Sequence, residues 1–154
     1  KVTKKPAIAV LKRGKGKNKN EIRRIASDIA LSKDETVIAC ISSISGMYGN
    51  EDLPNNVLEE IKELGINACL INADDTTNDF QTAIDELKDK YECVLISTKP
   101  MAESADGIIA IRHSDKAYVC IGIMKDDLRN IDYYFNNART KDGQEFDAIL
   151  IKNS

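Results

Sequence analysis

The chain has 154 residues, 42% of them apolar and 31% charged. That composition belongs to one folded globular domain and excludes disordered and bilayer-embedded classes. No apolar run approaches the ~20 residues of a membrane-spanning helix, and no secretory h-region follows the N-terminus. The net charge of -3 conceals an asymmetry: residues 1–24 carry ten Lys or Arg against Glu21 alone, a balance of +9, while the rest carries 12 basic and 24 acidic side chains. A first residue of Lys1 is expected of a piece of a longer or processed chain. The basic segment reads as a solvated linker or as a juxtamembrane polybasic segment facing anionic lipid. Nucleic acid is disfavoured, because no aromatic residue interleaves the basic ones.

Taken in chain order, residues 7–11 (AIAVL) predict a short strand, and residues 12–20, with Gly14 and Gly16, a loop. Ile22, Ile25, Ile29 and Leu31 recur at helical spacing and predict a helix over 21–32. Residues 37–41 are the first clear strand, followed by a loop over 42–50. Leu53, Val57, Leu58, Ile61 and Leu64 share one helical face, with Asp52 placed to cap, Pro54 in the first turn and Gly65 at the exit. Strand 68–71, helix 79–88 and strand 93–96 follow. Residues 108–111 and 118–124 then predict two strands separated by a charged turn. Residues 127–139 predict a helix with Leu128, Ile131, Tyr134 and Phe135 on one side, and 148–151 the last strand.

Apolar strands alternating with amphipathic helices define an α/β fold, doubly wound, with a mostly parallel sheet, central strands at 37–41, 68–71 and 93–96, and helices on both faces. The organisation is a basic arm with a short strand over 1–20 and a single three-layer domain over 21–154. Cys40, Cys69, Cys93 and Cys120 each lie in a separate apolar run without any CxxC pair, so they read as buried free thiols and not as zinc ligands. His113, the only histidine, ends an apolar run and reads as a surface residue; alone it supports neither a Ser/His/Asp triad nor a metal site.

In such a sheet ligands bind beyond the carboxyl ends of strands, which marks 42–52, 72–75, 97–100 and 124–127. The first segment has the length and placement of a phosphate-binding loop. That chemistry requires a Lys to reach the β- and γ-phosphates and a Ser or Thr to hold magnesium. Here Gly49 is followed by Asn50 and Glu51, and a carboxylate at the hydroxyl position repels phosphate. Glu51 and Asp52 read instead as the charges that complement the helix N-terminus.

The stretch VIACISSISGMYGNEDLPNNVLEEIKELGINACLINAD resembles the nucleotide-binding core of bacterial capsular-polysaccharide tyrosine kinases, deviant-Walker P-loop ATPases whose pattern is a strand, TSSxPGEGKST, a helix with Asn in its first turn, Gly, a strand and D-x-D. Asn56, Gly65 and Asp74 fall at the family's spacing. YECVLISTKP resembles its Walker B strand, ESADGIIAIR the next segment with Asp106 in place, and AIAVLKRGKGKNKNEIRRIASDIAL the segment leading into the kinase core. Within this resemblance Ser42, Ser43, Gly46, Gly49, Asn50, Glu51 and Asp52 form a degenerate nucleotide loop. Asn50 stands at the Walker A lysine, Glu51 at the magnesium-binding hydroxyl, Asn72 at the first aspartate of D-x-D and Ser97 at the Walker B aspartate. The family's tyrosine cluster has no counterpart; Tyr133 and Tyr134 read as packing residues.

The resemblance therefore implies a non-enzymatic domain without catalytic residues, cofactor or metal, regulatory or scaffolding in capsular, exopolysaccharide or lipopolysaccharide chain-length control. It implies a cytoplasmic position at the inner face of the membrane. Its implied partners are membrane-anchored assembly proteins or an upstream transmembrane segment of the same chain, with anionic lipid contact by residues 1–19, homo-oligomer formation open, and no nucleic acid. Besides an unrelated α/β binding domain, two alternatives remain. One is an enzyme or nucleotide-binding module with an atypical acidic site at Asp74, Asp75 and Asp106. The other is a phospho-receiver built from Asp74, Asp75, Thr98, Lys99 and Pro100, which lacks the strand spacing a receiver needs.

Overall fold

A computed structural model describes residues 5–13, 18–31, 35–75 and 79–152. Six strands form one sheet in the order β1-β6-β5-β2-β4-β3, and every pairing is parallel. The elements are β1 (Ala9–Lys12), α1 (Lys19–Ala30), β2 (Val37–Ser43), α2 (Leu53–Glu63), β3 (Ala68–Asn72), a 3-10 turn (Ala73–Asp75), α3 (Phe80–Lys88), β4 (Cys93–Ser97), α4 (Asp106–Arg112), β5 (Lys116–Gly122), α5 (Leu128–Asn137) and β6 (Asp147–Lys152). The basic arm is described only in part: residues 1–4 and 14–17 lie outside the described residues.

The unbroken apolar strands hide a strict alternation, because both faces of the sheet are covered. Val37, Ala39 and Ile41 of β2 point into a core shared with Ile25 and Ile29 of α1 and Val57 and Ile61 of α2. Ile38 and Cys40 point the opposite way, into a core with Ile84 of α3, Ile111 of α4 and Phe135 of α5. The three-layer α/β expectation therefore holds. Because β2 sends its chain through α2 to the β3 edge, with β4 inserted between them and β5 on its other side, the carboxyl end of β2 is where the winding reverses.

Several expectations need correction. Residues 108–111 are not a strand: they lie in α4, whose buried residues Gly107, Ala110 and Ile111 repeat at helical i, i+3, i+4 spacing. The paired isoleucines imitated a strand because the helix is only seven residues long. β3 is an edge strand, only partly buried beyond Ala68, and not a central one. Ser42 and Ser43 belong to β2 and are buried, and Asn72 and Ser97 close β3 and β4, so all four are strand residues. Asp52 occupies the N-cap position of α2 but accepts no capping hydrogen bond. Leu128 does not pack with Ile131 and Phe135; as the first residue of α5 it projects past the sheet and is 67% exposed. Tyr133 is exposed as well, while Tyr134 donates its hydroxyl to the Met101 carbonyl at 3.1 Å. His113 is half-buried, stacked on Phe80 with its Nδ1 3.1 Å from Gln81 Oε1.

The cysteines sit one to a strand, unpaired, with Cys40, Cys93 and Cys120 buried and Cys69 half-buried. Burial pushes the Cys93 thiol up to about 12 and raises those of Cys40 and Cys120 further, so none forms the nucleophilic thiolate near neutrality. A disulfide reagent at about pH 8 is expected to leave these three unmodified in the native protein and to titrate them after unfolding. Rapid native modification of Cys40 would show that β2 opens.

Candidate functional site

The loop from Ile44 to Asp52 leaves β2 at the reversal point and turns through the left-handed residues Tyr48 (φ 46°) and Gly49 (φ 89°). Gly49 reaches that conformation without a Cβ penalty. A phosphate cradle requires consecutive backbone N–H groups aimed at the ligand. Here three N–H groups of this segment find acceptors inside it. Gly49 N–H donates to the Glu51 carboxylate at 3.2 Å, Asn50 N–H to the Met47 carbonyl at 3.0 Å and Leu53 N–H to the Asn50 carbonyl at 2.9 Å.

Asn50 is also committed. Its side-chain amide donates to the Lys12 carbonyl at 3.2 Å and its side-chain oxygen accepts from Asn18 at 3.0 Å. Asn18, 6% exposed, in turn accepts from Lys12 N–H at 2.9 Å and donates to the Lys12 carbonyl at 3.1 Å. Asn50 thus ties the loop to the β1–α1 connection.

The carboxyl ends of the neighbouring strands close on each other in the same way. Ser97 donates its hydroxyl to the side-chain oxygen of Asn72, and Thr98 donates to the Ser42 hydroxyl at 2.6 Å. Gly107 brings the start of α4 close enough that a Cβ there would stand 2.7 Å from Met101 and 3.0 Å from the Ser42 hydroxyl oxygen. Asp74 pairs with Lys99 at 3.6 Å. Among the described residues no three His, Cys, Asp or Glu side chains converge as metal ligands; the Asp75 side chain lies outside them, and Asp106 stands at the first turn of α4. Between loop, α2 and these strand ends lies a cleft of about 960 Å³, lined by Ser45, Asn55, Asn72, Ser97 and Thr98, by Met47 and Leu58, and by the charged Glu51, Lys62 and Glu103.

On the other side of the loop, the Tyr48 ring covers Gly122 at the end of β5. Its hydroxyl faces Asp126 at 3.5 Å, whose other oxygen accepts from Gly122 N–H at 2.7 Å, and the Arg13 guanidinium lies 5.7 Å from the ring centroid. Burial and the Asp126 charge both raise the pKa of the Tyr48 hydroxyl. A Cβ on Gly122 would stand 2.3 Å from the ring. Gly122→Ala must therefore displace Tyr48, and a loss of about 1–3 kcal/mol in urea unfolding is expected; an unchanged midpoint would mean that the ring is not seated there.

The structure places Ser42, Ser43, Gly46, Gly49, Asn50, Glu51, Asp52, Asn72, Asp74 and Ser97 at one end of the sheet. Sequence reading missed Asn18 and Lys12, hidden in a run of Lys, Gly and Asn that reads as loop; it marked 124–127 but gave Asp126 no role, since that role depends on the turn that brings it back to Gly122.

The assembly is a doubly wound α/β domain with a strand–loop–helix at its winding reversal, the architecture of nucleotide-binding folds. No protein-family profile matches the chain, and no curated protein matches it. Solved structures do. The chimeric protein CapA2B2 superposes with a TM-score of 0.75 at 11% identity, covering 95% of this chain and 93% of that one. The kinase domain of the Escherichia coli tyrosine kinase ETK gives 0.68 at 10% identity, covering 88% and 75%. The BceF tyrosine kinase domain gives 0.65 at 11% identity, covering 87% and 77%. At these identities the likeness establishes the fold, and a fold by itself does not carry a function.

Proposed function

We propose that this chain is a non-catalytic member of the tyrosine-kinase fold, a regulatory or scaffolding domain in the assembly of a bacterial capsular or related polysaccharide. The carrying observation is that the loop is already engaged: Gly49 N–H donates to the Glu51 carboxylate, and the Asn50 side chain donates to the Lys12 carbonyl and accepts from Asn18. Phosphoryl transfer consists of positioning and of stabilising charge with a lysine and magnesium. Here Asn50, Glu51, Asn72 and Ser97 replace the four groups that would do so. The fold shared with two tyrosine kinase domains supports a place beside such enzymes. A position at the inner face of the membrane, with membrane-anchored assembly proteins as partners, fits the basic arm. Among the described residues no helix is long and apolar enough to cross a membrane.

Titration of the chain with magnesium-ATP tests this reading. No binding heat and no thermal stabilisation are expected; micromolar affinity would overturn it. The alternative of a ligand-binding module has the 960 Å³ cleft in its favour, although Lys99 engages Asp74 beside it. Stabilisation by ATP only when magnesium is present, lost in Asp74→Asn, would favour an atypical acidic site at Asp74 instead.

A further inference from the structure

The carboxyl end of the sheet is electrically divided. Over β2, β4 and β3 stand Glu51, Asp52, Asp74 and Glu103, with Lys99 paired to Asp74. Over β1, β6 and β5 the strand ends abut: Arg13 N–H donates to the Lys152 carbonyl at 3.1 Å, and Ile123 N–H to the Ile151 carbonyl at 2.9 Å. This half carries Lys12, Arg13, Lys125, Arg129 and Lys152, and it also carries apolar side chains with no place in the core. Met124 is 92% exposed, Leu128 67% and Ile123 39%.

The turn that presents them is held firmly. Lys125 and Asp126 N–H both donate to the Gly122 carbonyl, at 3.1 and 3.0 Å, and the Asp126 carboxylate accepts from Gly122 N–H. Met124 is kept at φ 67°, a conformation that non-glycine residues seldom adopt. The nearby carboxylates are engaged. Asp126 faces Gly122 and Tyr48, and Asp127 caps α5 through Arg129 N–H while pairing with the Arg129 guanidinium at 3.8 Å. Asp132, one turn further along α5, is the exposed acid on that helix nearest to Leu128.

We propose that the β5–α5 turn is a membrane anchor: Ile123, Met124 and Leu128 enter the interface of an anionic bilayer while Lys12, Lys125 and Lys152 meet its headgroups. A few protruding aliphatic side chains ringed by cations match the boundary between headgroup and acyl chain. A flat apolar patch would suit a protein partner better. The anchor adds an apolar contact, which salt does not screen, to whatever attraction the charges of residues 1–19 supply. It stands independently of the non-catalytic reading.

The chain contains no tryptophan, so Met124→Trp is a clean reporter. With vesicles of mixed phosphatidylglycerol and phosphatidylcholine its emission is expected to shift to the blue. Leu64→Trp, at the C-terminal end of α2 and so at the opposite end of the sheet, is expected not to shift. In co-sedimentation, raising salt from about 0.1 M to about 1 M shortens screening from about 10 Å to about 3 Å. The unmodified chain is then expected to retain a bound fraction that Met124→Asp with Leu128→Asp loses by about tenfold or more. A Met124→Trp emission that ignores vesicles overturns the proposal. So does equal high-salt binding by the double variant, or a blue shift that follows protein concentration without vesicles and so reports self-association.

Discussion

Asn50→Lys alone is expected to bind no more magnesium-ATP than the unmodified chain. The substitution removes the hydrogen bonds that Asn50 makes with the Lys12 carbonyl and with Asn18. It places an ammonium next to Glu51 in sequence, where the carboxylate already holds Gly49 N–H. A charge pair at ~4 Å is worth up to about 4 kcal/mol at an effective dielectric near 20, and less when water screens it. The new lysine is thus drawn to Glu51 before it can serve a phosphate. On the proposed reading Asn72 and Ser97, at the positions of the magnesium-site carboxylates, are untouched and remain bonded to each other. Only the combination Asn50→Lys, Glu51→Ser, Asn72→Asp and Ser97→Asp frees the Gly49 donor and restores lysine, hydroxyl and both carboxylates. Binding by that variant at a hundredfold excess over Kd adds about 2.7 kcal/mol, a rise in Tm of roughly 5–10 °C, readable in a thermal shift assay. A comparable rise for Asn50→Lys alone would show that Glu51 does not control the loop.

The sheet was legible because parallel strands covered on both faces carry long apolar runs, as in VIACI and CVLIS, whatever their sequence neighbours. The order of strands was less so. Ala68–Asn72 is as apolar as a central strand yet lies at the edge, since the winding of a sheet is fixed by which helices fit over it and not by the strand's own residues. Residues 108–111 failed for a related reason: four residues are too few to separate periods of 2 and 3.6. In the site, Asn50, Glu51, Asn72 and Ser97 were singled out through the family resemblance. What fills the loop was not, because the bonds from Asn50 to Lys12 and Asn18 join segments 38 and 32 residues apart. Leu128 shows the limit from the other side. Its helical phase agrees with Ile131 and Phe135, but phase says nothing about whether the first turn still overlies the sheet.

Phe135→Ala is expected to be the most damaging single substitution considered, with a loss of about 3–5 kcal/mol in unfolding free energy. Phe135 of α5 is 2% exposed and stacks on Phe146, fully buried just before β6, with ring centroids 4.2 Å apart and planes at 19°. The pair fastens α5 to the start of the strand it precedes, across a long connection, so truncation leaves a cavity with rigid walls on the sheet side. At about 2–4 °C per kcal/mol for a chain of this size, Tm should fall by roughly 6–20 °C. Phe146→Ala is expected to cost a similar amount, and the double variant about 0.5–1.5 kcal/mol less than the sum, because the stacking is lost only once. Tyr133→Ala, on the same helix but 55% exposed, is expected to stay within about 0.5 kcal/mol of the unmodified chain. Urea unfolding of the four proteins measures all of these. A Phe135→Ala cost near that of Tyr133→Ala would mean that α5, and with it the turn bearing Met124 and Leu128, is not locked onto the sheet.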